Sequence, residues 1–355
     1  MPAGQCRGLT RQSLAAMSDG KMRMKLLVAA KDESYTGHLS GIISSHHSDV
    51  VDVAVCSTEE RLKELLRLQK FDVALIDTEL IESADLHNIR LPLMLWSEEE
   101  SQARTGEVPG KIRKYRRVSV IVADILEQFA KVSASHHSSD SKRARVTAVW
   151  SPSGGVGKTT VALAYASKAA YEEKQALYLN LEPFSSTPAY FAQTGKSISS
   201  LFEMLETREG NVEMLVRSIL CRDGSGLSWF CKPENFDDMN ILSAENIAVL
   251  AEACAGVADE LVVDLPCACD DRTRLMLELA DKVFIVTDQT DTAQSKLSQF
   301  VSQHNVFECV KAKAALVVNR GAVVAAPPVD NVISLPLVQS ADVSVIYKTL
   351  ANCAF

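Results

Sequence analysis

The sequence predicts two doubly wound α/β domains with mostly parallel sheets, and three observations carry that prediction. Short apolar, β-branched runs alternate with segments of helical spacing along most of the chain. One stretch rich in Ser, His and charge, KVSASHHSSDSKRAR (131–145), breaks that rhythm and reads as a linker. A glycine-rich loop near residue 151 lies between a β-branched strand and an Ala-rich amphipathic helix.

In the first block, KLLVAA (25–30), VVDVAVC (50–56), FDVALID (71–77) and LPLMLW (91–96) are short, apolar runs of the kind that form buried parallel strands. Between them, STEERLKELLRL sets Leu62, Leu65 and Leu66 on one helical face, with Ser57 and Glu60 expected as a capping box. The block closes on VSVIVADILEQF, where Val118, Ile121, Val122, Ile125, Leu126 and Phe129 share a face. The second block offers strands at VTAVWS (146–151), ALYLNL (176–181), ELVVDL (260–265), KVFIVT (282–287), AALVVN (314–319) and NVISL (331–335). Helical stretches lie at 211–221 and 244–256, and a last helix covers about 340–352. The expected organisation is a polar leader at 1–23, a first domain at 24–130, the linker at 131–145 and a second domain at 146–355.

Composition narrows the function classes. The 355 residues are 47% hydrophobic and 23% charged, which supplies ordinary packed cores and excludes a wholly disordered chain. A net charge of −8 and a pI near 5.5 count against a broad basic face for nucleic acid. No apolar run approaches the roughly 18–20 residues needed to span a bilayer. The nine scattered cysteines read as reduced, mostly buried thiols, which sets the expectation of a cytoplasmic protein. Cys267 and Cys269 form CxC without a second pair to complete a four-ligand metal set. His136 and His137 read as solvated linker residues.

SPSGGVGKTTVALAYASKAA (151–170) has the strand–loop–helix context that a phosphate cradle requires. Backbone N–H groups curl around a polyphosphate while a helix N-terminus points at it. Gly154, Gly155 and Gly157, with Val156 between them, let the backbone approach phosphate oxygens closely. Lys158 would neutralise the β- and γ-phosphates, Thr159 would offer its hydroxyl to Mg²⁺, and Thr160 continues the cradle. The strict GxxxxGK[ST] pattern fails at its first position, which is Pro152. A Mg²⁺–nucleotide site also needs a carboxylate from a neighbouring strand. Asp264, ending ELVVD, supplies it where the ligands of α/β sheets collect.

GGVGKT together with Asp264-Leu265-Pro266 resembles the deviant-Walker ATPases of the MinD/ParA group, whose loop reads KGGxGKT. The resemblance covers about 146–352 and implies a P-loop NTPase domain that binds ATP and Mg²⁺. It further implies that Asn319-Arg320 recognises adenine and that Leu335-Pro336 closes over the base. It places Glu182, in NLE (180–182), where an Asp orients the attacking water, so that Lys158, Glu182 and Asp264 are the implied catalytic set. The departures are specific. The group's signature lysine falls at Ser153, Asn180 replaces the first acid, and Glu182 is one methylene longer than Asp. Misplacement by about 1 Å can cost roughly 10²-fold in rate, and loss of a transition-state cation costs comparably. The expectation is ATP binding with weak or absent hydrolysis.

In the first block, Asp77 ends a strand and resembles the phosphoacceptor of a response-regulator receiver, a flavodoxin-like fold. Ser97 matches the receiver's switch hydroxyl and Lys114 its lysine, with Tyr115 where proline usually follows. Asp32 matches one member of the Mg²⁺-binding acid pair, and Lys31 replaces the other. A carboxylate that accepts a phosphoryl group needs a cation beside it, so a docking module is favoured over a working phosphoacceptor.

A receiver-like domain ahead of a MinD/ParA-like domain resembles the TadZ/CpaE family, which places the tight-adherence (Flp, type IVb) pilus machinery at a cell site. GLSWFCKPENFDDM (226–239) resembles that family's aromatic–proline stretch, with Trp229 and Phe230 serving either the core or a partner. The family implies a cytoplasmic homodimer that meets pilus and secretion assembly proteins, reaching a pole or the inner face of the membrane through them. The alternatives are an active MinD/ParA-like ATPase that positions DNA or the division site, and a phosphorylation-responsive regulator. The C-terminus, DVSVIYKTLANCAF, lacks a basic amphipathic tail for anionic lipid.

Overall fold

The computed structural model describes residues 23–46, 48, 51–97, 110–132, 143–207, 210–321 and 326–355. The leader up to residue 22, His136, His137 and most of the expected linker lie outside the described residues. The chain divides into two compact units, Met1–Ile125 and Leu126–Phe355.

The first unit contains β1 (Met24–Ala29), α1 (Glu33–His46), β2 (Val51–Cys56), α2 (Glu59–Leu68), β3 (Phe71–Asp77), β4 (Ile89–Trp96) and β5 (Gly110–Arg113). Helix α3 (Val118–Val132) begins in it. Its sheet runs β2-β1-β3-β4-β5 with every pair parallel, the doubly wound order of flavodoxin-like folds. Leu62, Leu65 and Leu66 of α2 bury against Leu27, Ala29, Ala74 and Ile76 of the sheet. Each such side chain, taken out of water, contributes roughly 1.5–3 kcal/mol. The cap of α2 is Thr58 rather than Ser57: the Thr58 hydroxyl accepts from the Arg61 N–H at 3.3 Å. Ser57 instead donates to Glu33 at 2.9 Å. Helix α1 and strand β5 carry no strong periodic signal and were not expected.

The second unit opens with β6 (Arg145–Trp150), α4 (Lys158–Tyr171), β7 (Ala176–Asn180), α5 (Phe202–Thr207), α6 (Val212–Ile219), β8 (Cys221–Arg222) and β9 (Leu227–Trp229). There follow α7 (Asp238–Ile241), α8 (Ala244–Ala255), β10 (Glu260–Asp264), α9 (Asp271–Leu279), β11 (Lys282–Thr287), α10 (Asp291–Val301) and α11 (His304–Lys311). It closes with β12 (Ala314–Val318), β13 (Val332–Ser334) and α12 (Val343–Leu350). The eight strands run β13-β12-β11-β6-β10-β7-β9-β8, parallel throughout except for the β8–β9 hairpin at one edge. Both faces are buried, and alternation along each strand shares the core between them. Trp150, Leu179, Val263, Ile285 and Leu316 belong to one apolar layer. Their strand neighbours Val149, Tyr178, Val262, Phe284 and Val317 belong to the other. All six expected strands form, and β8 and β9 join them. Trp229 and Phe230 are both buried, with Trp229 stacked on Phe191 at 4.2 Å between centroids, so both serve the core within this chain.

Candidate functional site

Because β6, β10, β7, β12 and β13 run parallel, the loops that follow them converge on one edge of the sheet. The residues singled out from the sequence collect there. The glycine-rich loop leaves β6, Asp264 ends β10, Asn180 ends β7, Asn319 follows β12, and the exposed Pro336 lies just beyond β13.

The loop's backbone explains its glycines. Gly155 and Gly157 have φ of +78° and +92°, the left-handed region that costs other residues energy. Gly157 is constrained a second way, since a Cβ there would lie 2.4 Å from Asn319 Nδ2. Gly154 and Gly155 are exposed, whereas Val156 is buried. Immediately after the turn, α4 begins at Lys158 and directs its unpaired N–H groups and positive dipole end at the loop. Ser153, where the resembling loop has lysine, is buried and donates its N–H to Ser151 Oγ at 3.0 Å.

Three charged groups face one another across this edge. Lys158 is buried, with Nζ 3.0 Å from Cys267 Sγ and 3.4 Å from Glu182 Oε1. Burial works to lower its pKa, but the Cys267 contact, then Glu182 and Asp264, outweigh that and raise it. Lys158 is therefore an ammonium at neutral pH. Asp264 is fully buried, and its Oδ2 accepts from Thr159 Oγ1 at 2.7 Å and from Tyr178 OH at 2.8 Å. Burial pushes the Asp264 carboxyl up to about 7, against the lowering hydrogen bond from Thr159. Its other oxygen, Oδ1, is buried with no hydrogen-bond partner among the described residues.

That orphaned oxygen is the test of whether Mg²⁺ fits. A hard cation takes carboxylate and hydroxyl oxygens, and Asp264 with the Thr159 hydroxyl beside it is such a donor set. The fit is good: Thr159 and Asp264 would hold the ion, which would offset charge on bound phosphates.

The remaining site residues are placed as follows. Asn180 donates to the Tyr178 hydroxyl at 2.9 Å, and its own oxygen accepts from the Glu182 N–H at 2.8 Å. Glu182 is thereby fixed at the loop and paired to Lys158. Thr160 hydrogen-bonds the half-buried Tyr190. Asn319, implied to read adenine, is buried and donates through Nδ2 to the Val156 carbonyl at 2.8 Å, bracing the loop. Arg320 is exposed with φ of +61°. Tyr178 carries no sequence signal of its own, and Cys267, read from the sequence only as half of a CxC pair without a metal set, lies against Lys158. Tyr178 was within reach of period-2 reasoning, since it shares a strand face with Asn180, which pairs with Asp264 in register.

In the first unit, Asp77, Ser97 and Lys114 end or follow three adjacent parallel strands. Lys114 Nζ donates to Asp77 Oδ1 at 2.8 Å, and both side chains are buried. Asp32 is exposed and caps the start of α1, accepting from the Tyr35 N–H at 2.9 Å. Lys31 pairs with Glu79 at 2.9 Å.

A loop of positive-φ glycines, a buried lysine opening the next helix and a carboxylate on the adjacent strand define a P-loop nucleotide-binding type of fold. Comparison with solved structures agrees. The chain is similar to a ParA family ATPase from Chlorobium tepidum, with TM-score 0.50, 18% identity, and coverage of 59% of this chain and 91% of that one. It is also similar to the septum site-determining protein MinD from Pyrococcus horikoshii, complexed with Mg-ADP, at TM-score 0.43, 12% identity and coverage of 59% and 94%. A plasmid partition protein from Borrelia burgdorferi bound to AMPPNP gives TM-score 0.42, 16% identity and coverage of 59% and 97%. No protein-family model matches the chain, and no curated protein matches it by sequence. The chain thus contains the α/β fold of ParA-type P-loop ATPases. No helix among the described residues is long and apolar enough to cross a membrane.

Proposed function

We propose that this chain is an ATP- and Mg²⁺-binding, dimerising positioning protein of the ParA/MinD type with weak or absent hydrolysis. Its biological task on this reading is that of the TadZ/CpaE family, localising tight-adherence pilus machinery through contacts with assembly proteins. The observation that carries the nucleotide part is the juxtaposition of the Gly154–Thr160 cradle with buried Lys158 and with Asp264, whose Oδ1 has no partner among the described residues. The first unit serves as a receiver-like docking module, a reading supported by its strand order and by Lys31 occupying an acid's position and pairing with Glu79.

Weak hydrolysis rests on Ser153 and Asn180. Neither supplies the charge that the resembling loop and strand carry, so stabilisation of the transferring phosphoryl group is reduced. ATP acts here as a ligand whose preference for the dimer shifts association. The active-ATPase alternative, in which the protein positions DNA or the division site, fits the same fold. One experiment separates them: light-scattering mass with and without ATP-Mg²⁺, alongside phosphate release. A nucleotide-driven rise in mass with release near background supports the proposal. Brisk release supports the alternative, and a mass indifferent to nucleotide contradicts the switch.

A further inference from the structure

At the far edge of the second unit's sheet, two thiols with no motif around them in the sequence face one another. Cys221 begins β8, Cys231 lies two residues beyond β9, and their Sγ atoms are 3.5 Å apart inside the apolar layer. The hairpin register explains the approach. Cys221 lies opposite Trp229, and Cys231 is two residues further along, so the two cysteines are diagonal neighbours. The backbone holds them from both sides. Cys231 bridges to Ser197, its carbonyl accepting from the Ile198 N–H at 3.3 Å.

The pair lies one residue below the surface. Gly195 is exposed, and a Cβ there would lie 2.6 Å from Cys221 Sγ and 3.5 Å from Cys231 Sγ. A side chain there would press on the thiols, and the bare backbone of Gly195 leaves them covered by one exposed residue. By contrast, Cys254 is fully buried, and burial pushes its thiol well up, as for an inert packing residue.

We infer that Cys221 and Cys231 form a reversible dithiol–disulfide site that takes low-molecular-weight disulfides as its oxidant. A disulfide bond is about 2.05 Å long, so the two sulfurs must close by roughly 1.5 Å. Diagonal neighbours have Cα atoms about 7–8 Å apart, so closure takes a small shift of the edge hairpin as well as side-chain rotation. The chemistry balances. The Cys231 thiolate attacks one sulfur of R–S–S–R, releasing one RS⁻ and forming a mixed disulfide. Cys221 then gives up its proton and attacks Cys231 Sγ, releasing the second RS⁻. Two protein thiols are oxidised, one small disulfide is reduced to two thiols, and the two protons leave with them. Across the 3.5 Å contact one thiol donates to the other and stabilises the attacking thiolate, and this contact lowers the pKa of Cys231. The product would staple β8 to the segment after β9, on the layer where Trp229 stacks on Phe191.

The test uses the full chain, equilibrated in glutathione buffers of rising oxidised-to-reduced ratio, quenched by alkylation and mapped by mass spectrometry. The expected result is a Cys221–Cys231 cross-linked peptide, two hydrogens lighter than the reduced pair. It should form at a lower ratio than modification of any other cysteine and be lost on adding dithiothreitol. In Cys221→Ser a glutathione adduct should accumulate on Cys231, and in Cys231→Ser on Cys221, because neither mixed disulfide has a neighbouring thiol to resolve it. If either variant fails to fold, the wild-type titration decides alone. Free alkylation of both thiols at ratios that already oxidise Cys267 or Cys269 would overturn the assignment. So would a cross-link that forms only in denaturant.

Discussion

Lys158 Nζ lies 3.0 Å from Cys267 Sγ, a contact across 109 residues that joins the start of α4 to the loop after β10. The lysine that would grip a triphosphate is thus engaged by a thiol and by Glu182 at 3.4 Å. Binding of a polyphosphate must re-aim the ammonium at phosphate oxygens and cover the sulfur. ATP-Mg²⁺ at about ten times its Kd should therefore slow alkylation of Cys267 by N-ethylmaleimide roughly tenfold, as followed by peptide mapping. Alkylation at an unchanged rate under saturating ATP would contradict the placement of the phosphates.

Asp264 gives a pH dependence with a definite sign. Its carboxyl is pushed up to about 7 in the fold, above its ordinary value of 3.8. The stability this group contributes is therefore complete below about pH 4 and is lost as pH rises through about 7. A shift of that size corresponds to at most roughly 4 kcal/mol. In urea unfolding from pH 4 to pH 8, wild type should lose stability relative to Asp264→Asn by a few kcal/mol, and Mg²⁺ with ATP should reduce the loss. Parallel curves for the two proteins would contradict the burial of a charged Asp264.

The Asp77–Lys114 pair is buried on both sides, so removing one partner strands the other's charge. Lys114→Ala should destabilise the protein by about 3–5 kcal/mol, measured by chemical denaturation, while Lys114→Met with Asp77→Asn should restore most of it. A Lys114→Ala variant within experimental error of wild type would show that the pair is solvated.

Lys114 occupies Asp77 and Lys31, at the position of an acid in the receiver-like reading, pairs with Glu79, so recruitment of a divalent cation to Asp77 is weakened. Small-molecule phosphodonors should label Asp77 poorly by intact mass spectrometry. Stoichiometric labelling would overturn the docking-module reading of the first unit.

Ser153 occupies the loop position whose side chain would carry positive charge in the resembling ATPases. Ser153→Lys should raise phosphate release at least roughly tenfold if that missing cation limits turnover. A wild type that already turns over briskly, or a variant with no gain, would remove Ser153 from the account.

Much of the site was legible because its parts are local. The strand ending at Trp150, the glycines at 154, 155 and 157 and the helix opening at Lys158 are contiguous, and each obeys a backbone rule visible in the sequence. Asp264 was legible because an acid ending a run of apolar strand residues stands out. What stayed hidden depends on register or on distance along the chain. Tyr178 reaches Asp264 only because β7 lies beside β10, and Cys267 reaches Lys158 only once the sheet is assembled. Asn319 illustrates a different limit, since its side chain braces Val156 as well as standing at the position implied to face the base. The missed elements have weak local signals. Helix α1 (ESYTGHLSGIISSH) is rich in Ser and Gly, and β5, β8 and β9 have only two to four residues each. At α2, Ser57 and Thr58 are both competent caps, and backbone geometry chose the second.

The account stands most directly on whether the cradle holds nucleotide. Isothermal titration of the full chain with ATP in Mg²⁺ should give saturable binding of one nucleotide per chain for wild type, and Lys158→Ala should abolish it while leaving the melting transition cooperative. Undiminished binding in Lys158→Ala, or no heat of binding in a folded wild-type protein, would contradict it.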